Sequence, residues 1–176
     1  MLQRVRGRQP NTDSNAFLHL FISKRLIHGA AAALLGIFVP IFLYETTGQS
    51  FYIVGGYYAL LSFLYAMLLV PGMYVANKIG FSHALVVSGV FSVMIYAVMF
   101  FLTPENMTLL LWPLTAAIVA FRIFHWVPFH VDFALFTNAG ERGRQVSLSF
   151  ATIAFMGVIG PILAGFIIAN AGYNAL

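Results

Sequence analysis

The sequence predicts an all-α protein, a polytopic membrane bundle of five transmembrane helices, on three observations. Five apolar stretches, 26–44, 51–76, 82–102, 107–127 and 146–169, fill most of the 176 residues. Each is near or above the ~20 apolar residues that cross a hydrocarbon core as a helix. The chain is 61% hydrophobic and only 8% charged, with mean hydropathy +0.90, whereas a soluble domain is about one quarter charged. Finally, every Lys and Arg except Arg122 falls in segments that share one side of a bilayer.

Residues 1–25 form a separate region, expected as a cytoplasmic tail and interfacial segment. Arg4, Arg6, Arg8, Pro10 and the polar run 11–15 lack the apolar content to pack. The apolar run 16–22, followed by Lys24 and Arg25, fits a segment lying along the interface before the first span. The transmembrane bundle then occupies 26–176. Lys24, Arg25, Lys78, Arg142 and Arg144 lie on the side of the N-terminal arginines, while 45–50, 103–106 and 170–176 hold Glu45 and Glu105 but no Lys or Arg. Basic residues near span ends are retained in the cytoplasm. The expectation is a multi-pass protein of the plasma membrane, with the N-terminus inside and the end of this chain outside.

Connections of about six residues around the second span make sequential helices antiparallel neighbours. After the fourth span, 127–136 stays apolar enough to prolong the helix, with Pro128 as a kink, until Asn138, Gly140 and Gly143 break it. Small residues four apart mark close helix approach in lipid; Ala32/Gly36, Ser88/Ser92, Gly157/Pro161, Gly160/Ala164 and Gly165/Ala169 fit, as chance pairs of common residues also would. The net charge of +4 is a topology signal, because the basic residues form no patch interleaved with aromatics, and no nucleic-acid partner is expected. With no cysteine there is no disulfide framework and no thiolate metal site.

An internal similarity runs across the bundle. Gly72, three apolar residues, Ala76 and Asn77 close the second span, and Gly165, three apolar residues, Ala169 and Asn170 close the fifth. Those two ends lie on opposite sides, as an inverted three-plus-three repeat of transporter halves would place them, although such simple residues also coincide by chance.

Three further segments carry a resemblance. Asn77-Lys78-Ile79-Gly80 stands between spans two and three, Gly160-Pro161-Ile162-Leu163-Ala164-Gly165 lies in span five, and Glu141-Arg142-Gly143-Arg144 precedes it. In this order they resemble the N-terminal half of a major facilitator superfamily transporter, over essentially 26–176. The loop segment is similar to the Asp-Arg-x-Gly centre of the family's loop motif, with Asn77 replacing the acid, Met73 at the leading glycine position, and Phe81 and Ser82 replacing the trailing basic pair. A latch there would be a hydrogen bond instead of an ion pair. The span-five segment resembles the family's Gly-Pro-x-x-Gly-Gly element, with its leading glycine displaced to Gly157. Pro161 then either bends a sliding helix or kinks a packing one. The segment before span five is similar to a basic stretch of the inner surface, a position solvated topology charges would also fill.

Function, on this resemblance, is secondary active transport of a small solute by alternating access, with the chain as the N-terminal part of a larger carrier. A half of this superfamily has six spans, so the sixth helix would be missing and a C-terminal half or companion subunit is an expected partner. The other open class is a non-catalytic membrane subunit or channel component.

Polar groups inside spans are costly and usually face a cavity or a partner. Arg122, His125 and Asp132 fall at helix phases of about 0°, 300° and 280°, one stripe along the fourth span and its extension. His130 lies off that stripe. The resemblance implies that this helix and span one line a central cavity, which would add His28. Arg122 is then a candidate for an anionic solute group, or faces a buried acid; His125 or Asp132 is a candidate for exchanging a coupled proton. Asp132 and His130 equally fit interfacial positions, and His28 a headgroup contact. The family's own span-four arginine would fall near Thr115 or Ala116, so the reading of Arg122 rests on bilayer energetics. An enzyme is not expected: no His-Glu-x-x-His, Gly-x-Ser-x-Gly or P-loop pattern occurs, and no cofactor or metal is implied.

Overall fold

The computed structural model describes residues 38–136 and 142–171, together with Gly29 and Gly36. Among these residues the chain is all helical. Five helices follow one another: α1 (Phe38–Thr46), α2 (Phe51–Ile79), α3 (Phe81–Phe100), α4 (Met107–Phe136) and α5 (Arg142–Ala171). Four of them, α2 to α5, are long and apolar enough to cross a membrane, and the chain is a multi-pass membrane protein. Of the predicted first span only α1 and isolated glycines are described. His28, Ala32 and the whole 1–25 segment lie outside the described residues.

Helix lengths depart from the predicted spans. At about 1.5 Å per residue, the 20 residues of α3 cover ~30 Å, one hydrocarbon thickness. The 29 residues of α2 and the 30 each of α4 and α5 cover ~43–45 Å, so these helices tilt or continue into the headgroup layer. Backbone groups in lipid have no water to bond, which favours running the helix on past the apolar stretch. Thus α4 continues through Pro128 to Phe136, as its composition predicts, while α5 begins four residues earlier than expected and takes Arg142-Gly143-Arg144 into its first turn.

The largest correction concerns the joint between α2 and α3. A connection of about six residues is expected there, yet Asn77, Lys78 and Ile79 are the last turn of α2 and Gly80 alone separates the helices. Gly80 serves both, its N–H donating to Ala76 O at 3.0 Å and its carbonyl accepting from Ala84 N at 2.9 Å. Its φ of 91° and ψ of 141° belong to glycine. By contrast, α1 and α2 are joined by residues 47–50, where Gly48 and Gln49 both take positive φ. Between α3 and α4, Asn106 closes the turn by accepting from Thr103 N and donating to Phe101 O, each at 2.8 Å.

The chain divides into two compact units, 40–132 and a second made of 1–39 with 133–176. In the first, α4 is the most enclosed helix: 28% of its apolar window is buried, against 11% for α2 and 17% for α3. Leu61 of α2 with Val119 and Ile123 of α4 form a fully buried cluster flanked by Tyr57, Tyr58, Tyr65 and Phe124. Gly72 brings α2 close to α4, since a Cβ there would overlap the Ile123 side chain. Helix α3 packs on α2 and reaches α4 through the Phe91 and Phe124 rings, stacked with centroids 6.2 Å apart.

In the second unit, α5 buries Gln145, Ser149, Gly160 and Ala164, positions at helical spacing on one face. The pair Gly160/Ala164 is therefore a packing pair. Gly157 and Gly165 instead face open space.

Candidate functional site

Of the polar side chains that α4 carries within its membrane span, Met107–Val131, Thr115, Arg122 and His125 meet three different environments. Thr115 is buried toward α2, where its Oγ1 hydrogen-bonds the Tyr57 hydroxyl at 3.4 Å and donates to Leu111 O at 2.6 Å. Arg122, about two turns further along, is half-buried and lies within electrostatic range of the Tyr57 and Tyr58 hydroxyls. It sits three residues past the middle of the span, ~4.5 Å along the axis, deep enough for its charge to be costly when it faces lipid.

His125 is turned toward α3 and is 5% exposed. Its ring stacks against Phe121, with centroids 4.7 Å apart, and against Phe129 at 5.7 Å, while Trp126 meets it edge-on. These aromatics follow from the sequence, because residues four before and four after lie on the same helical face. Across the helix interface His125 Nδ1 is 3.4 Å from Ser88 Oγ, which itself lies 2.7 Å from Leu85 O. A hydroxyl has one proton to donate. At Ser88 that proton goes to the Leu85 carbonyl, so toward the imidazole the oxygen presents a lone pair. This contact favours the tautomer in which the neutral His125 ring carries its hydrogen on Nδ1 and its lone pair on Nε2.

The candidates on the α4 stripe meet different neighbours. His125 faces α3 and the aromatic rings, while Arg122 is half-buried within electrostatic range of Tyr57 and Tyr58 of α2. Asp132 is helical, with its side chain outside the described residues. His130 is exposed and stacks on Trp126 at 6.2 Å. Asn77 and Lys78 are exposed on the last turn of α2, with the Lys78 ammonium 5.2 Å from the centre of the Tyr74 ring. In α5, Gly160 is buried, Pro161 is half-buried within an unbroken helix and Gly165 is exposed.

Ser88 is the functional candidate that sequence reasoning misses. It is legible as a small packing residue, but its pairing with His125, 37 positions away, is not. Gln145 on α5 is another: it is buried, and among the described residues its Oε1 accepts no hydrogen bond, an unusual state for a polar atom. Among the described residues no three His, Cys, Asp or Glu side chains converge as a metal site would require.

No family model, curated protein or solved structure matches the chain. The functional reading therefore rests on the chemistry of these residues and on the sequence resemblance.

Proposed function

We propose that this chain is the N-terminal part of a secondary active carrier of the major facilitator type, moving a small solute across the plasma membrane by alternating access. The observation that carries the proposal is the placement of ionisable side chains inside a span: Arg122 near mid-depth and His125 buried between α4 and α3. Neither contributes to stability as cheaply as an apolar residue would, and such groups mark solute and proton paths. Arg122 supplies a fixed positive charge for an anionic group of the solute. His125 supplies the proton site, taking and releasing a proton at Nε2 while Nδ1 stays on Ser88. The N-terminus lies inside, as the Lys and Arg distribution supports.

The test uses the native-length polypeptide in proteoliposomes, with currents recorded while small organic anions are applied over a pH gradient. Saturable, proton-coupled uptake is expected. Arg122→Ala should abolish uptake of the anion while membrane insertion stays intact, and uptake that survives removes Arg122 from the mechanism. A conductance that rises linearly with solute concentration would establish a channel component instead. Flux that needs a second polypeptide would make this chain a companion subunit.

A further inference from the structure

An apolar groove of about 460 Å³ lies between α2 and α4, inside the unit formed by residues 40–132. Arg122, His125 and Ser88 do not line it. Gly72 on α2 and Ala116 and Ala120 on α4 keep it deep, because they have little or no side chain to fill the space. Its rim is exposed: Leu68 is 47%, Val75 45% and Trp112 67% accessible. In a chain that spans a bilayer, an open apolar groove on a transmembrane helix faces hydrocarbon, and what fills it has the chemistry of a lipid tail.

One charge stands in line with it. Along α2 the groove runs from Leu64 through Leu68 and Pro71 to Val75, spacings of four, three and four residues that hold one helical face. Three residues further, on the same face, is Lys78. The groove covers ~16 Å of the helix and the lysine lies ~4.5 Å beyond its last residue. Lys78 is the only Lys, Arg, Asp or Glu from residue 46 to residue 104. Its ammonium rests over the Tyr74 ring, and among the described residues no carboxylate pairs with it. A cation exposed at the end of a span draws a counter-ion from the headgroup layer.

We propose that the groove seats one acyl chain of an anionic phospholipid whose phosphate lies on Lys78. The chain follows the small-residue floor from Val75 toward Leu64, and the headgroup is held by the ammonium at the end of α2. Apolar fit alone would not discriminate between lipids, so the selectivity resides in Lys78. One lysine–headgroup contact predicts about a five-fold preference for an anionic over a zwitterionic lipid of the same tail.

Trp112 on the rim reports occupancy directly. The chain has two tryptophans, so Trp126→Phe leaves Trp112 as the only residue excited at the red edge of the absorption band, where tyrosine does not absorb. This variant is placed in phosphatidylcholine vesicles containing a minor fraction of either phosphatidylglycerol or phosphatidylcholine brominated midway along the tail, and quenching is compared. Brominated phosphatidylglycerol should quench as if enriched about five-fold near Trp112, and high salt should reduce the difference. Lys78→Gln, on the helix surface, should bring the two lipids to equality. Ala120→Leu, which fills the groove, should lower quenching by both, with helix content checked by circular dichroism. Equal quenching in the parent protein overturns the proposal, as does a phosphatidylglycerol preference that survives Lys78→Gln. The readout contains no transport step, so it stands or falls apart from the proposed carrier function.

Discussion

On its α2 side, α4 presents Val119 and Ile123 against Leu61, with Gly72 letting the two backbones approach. On its α3 side the same helix presents His125, held between Phe121 and Phe129 and paired with Ser88. The first face is specified by shape and the second by chemistry. In lipid the distinction is sharper than in water, because lipid tails are as apolar as leucine and provide no hydrophobic drive for helix association. The α2 contact must be held by close packing. The α3 contact keeps an imidazole out of hydrocarbon, a need that packing alone would not create.

Variants that act on one face and spare the other sharpen this contrast. The largest effect is expected for Gly72→Leu, whose added side chain overlaps Ile123; overpacking costs about 3 kcal/mol at the upper end of the usual range. Chemical unfolding in mixed micelles should show the loss, and Ile123→Ala in the same chain should recover part of it. Should Gly72→Leu prove neutral, shape would not govern this face. Next is Leu61→Ala, which leaves a void in the buried cluster. About 2 kcal/mol is expected, the low end for such truncations, since the transfer contribution vanishes when the alternative surrounding is lipid.

On the chemical face the energies shrink while the spectroscopic signature grows. Ser88→Ala removes one interhelical hydrogen bond, about 0.6 kcal/mol in a membrane protein. In protein labelled with nitrogen-15 histidine at pH about 9, where an ordinary imidazole is neutral, wild-type His125 should show its hydrogen on Nδ1, and the variant a mixture. An unchanged tautomer in Ser88→Ala would separate Ser88 from the histidine.

The smallest effect lies outside both faces. Glu105, fully exposed in the turn before α4, has its carboxyl held below the ordinary 4.5 by the Thr103 side chain and by its own backbone. A lowered folded-state pKa lends stability above the ordinary carboxylate range, and this contribution is lost as pH falls through the lowered value. Thr103→Ala should return the Glu105 titration, followed by chemical shift, toward its ordinary position.

Much of this architecture is legible in the sequence because a bilayer imposes few solutions. Long apolar runs fix the fold class, and the extension of α4 through Pro128 to Phe136 follows from composition alone. Gly80 is recognisable as a turn residue. That it is the whole turn is not, because Asn77 and Lys78 are polar enough to suggest a loop while the helix needs them to satisfy its own carbonyls. At the site, Arg122 and His125 announce themselves as polar groups among apolar ones. That they meet different neighbours, His125 on α3 and Arg122 near the α2 tyrosines, depends on where α2 and α3 lie, which helical phase cannot supply. Ser88 belongs to the same class: a serine in an apolar helix reads as a packing residue until its partner is in view.

A single residue between α2 and α3 also limits how those helices can move. Each residue has two soft torsions, so with helical hydrogen bonds intact on either side of Gly80 the joint has two rotational freedoms and no slack. Ser88 lies eight residues, about two turns, beyond it. A displacement of the Lys78 end of α2 is passed through this crank to the serine that holds the His125 ring, and side chains larger than hydrogen are disfavoured at the pivot by its backbone angle.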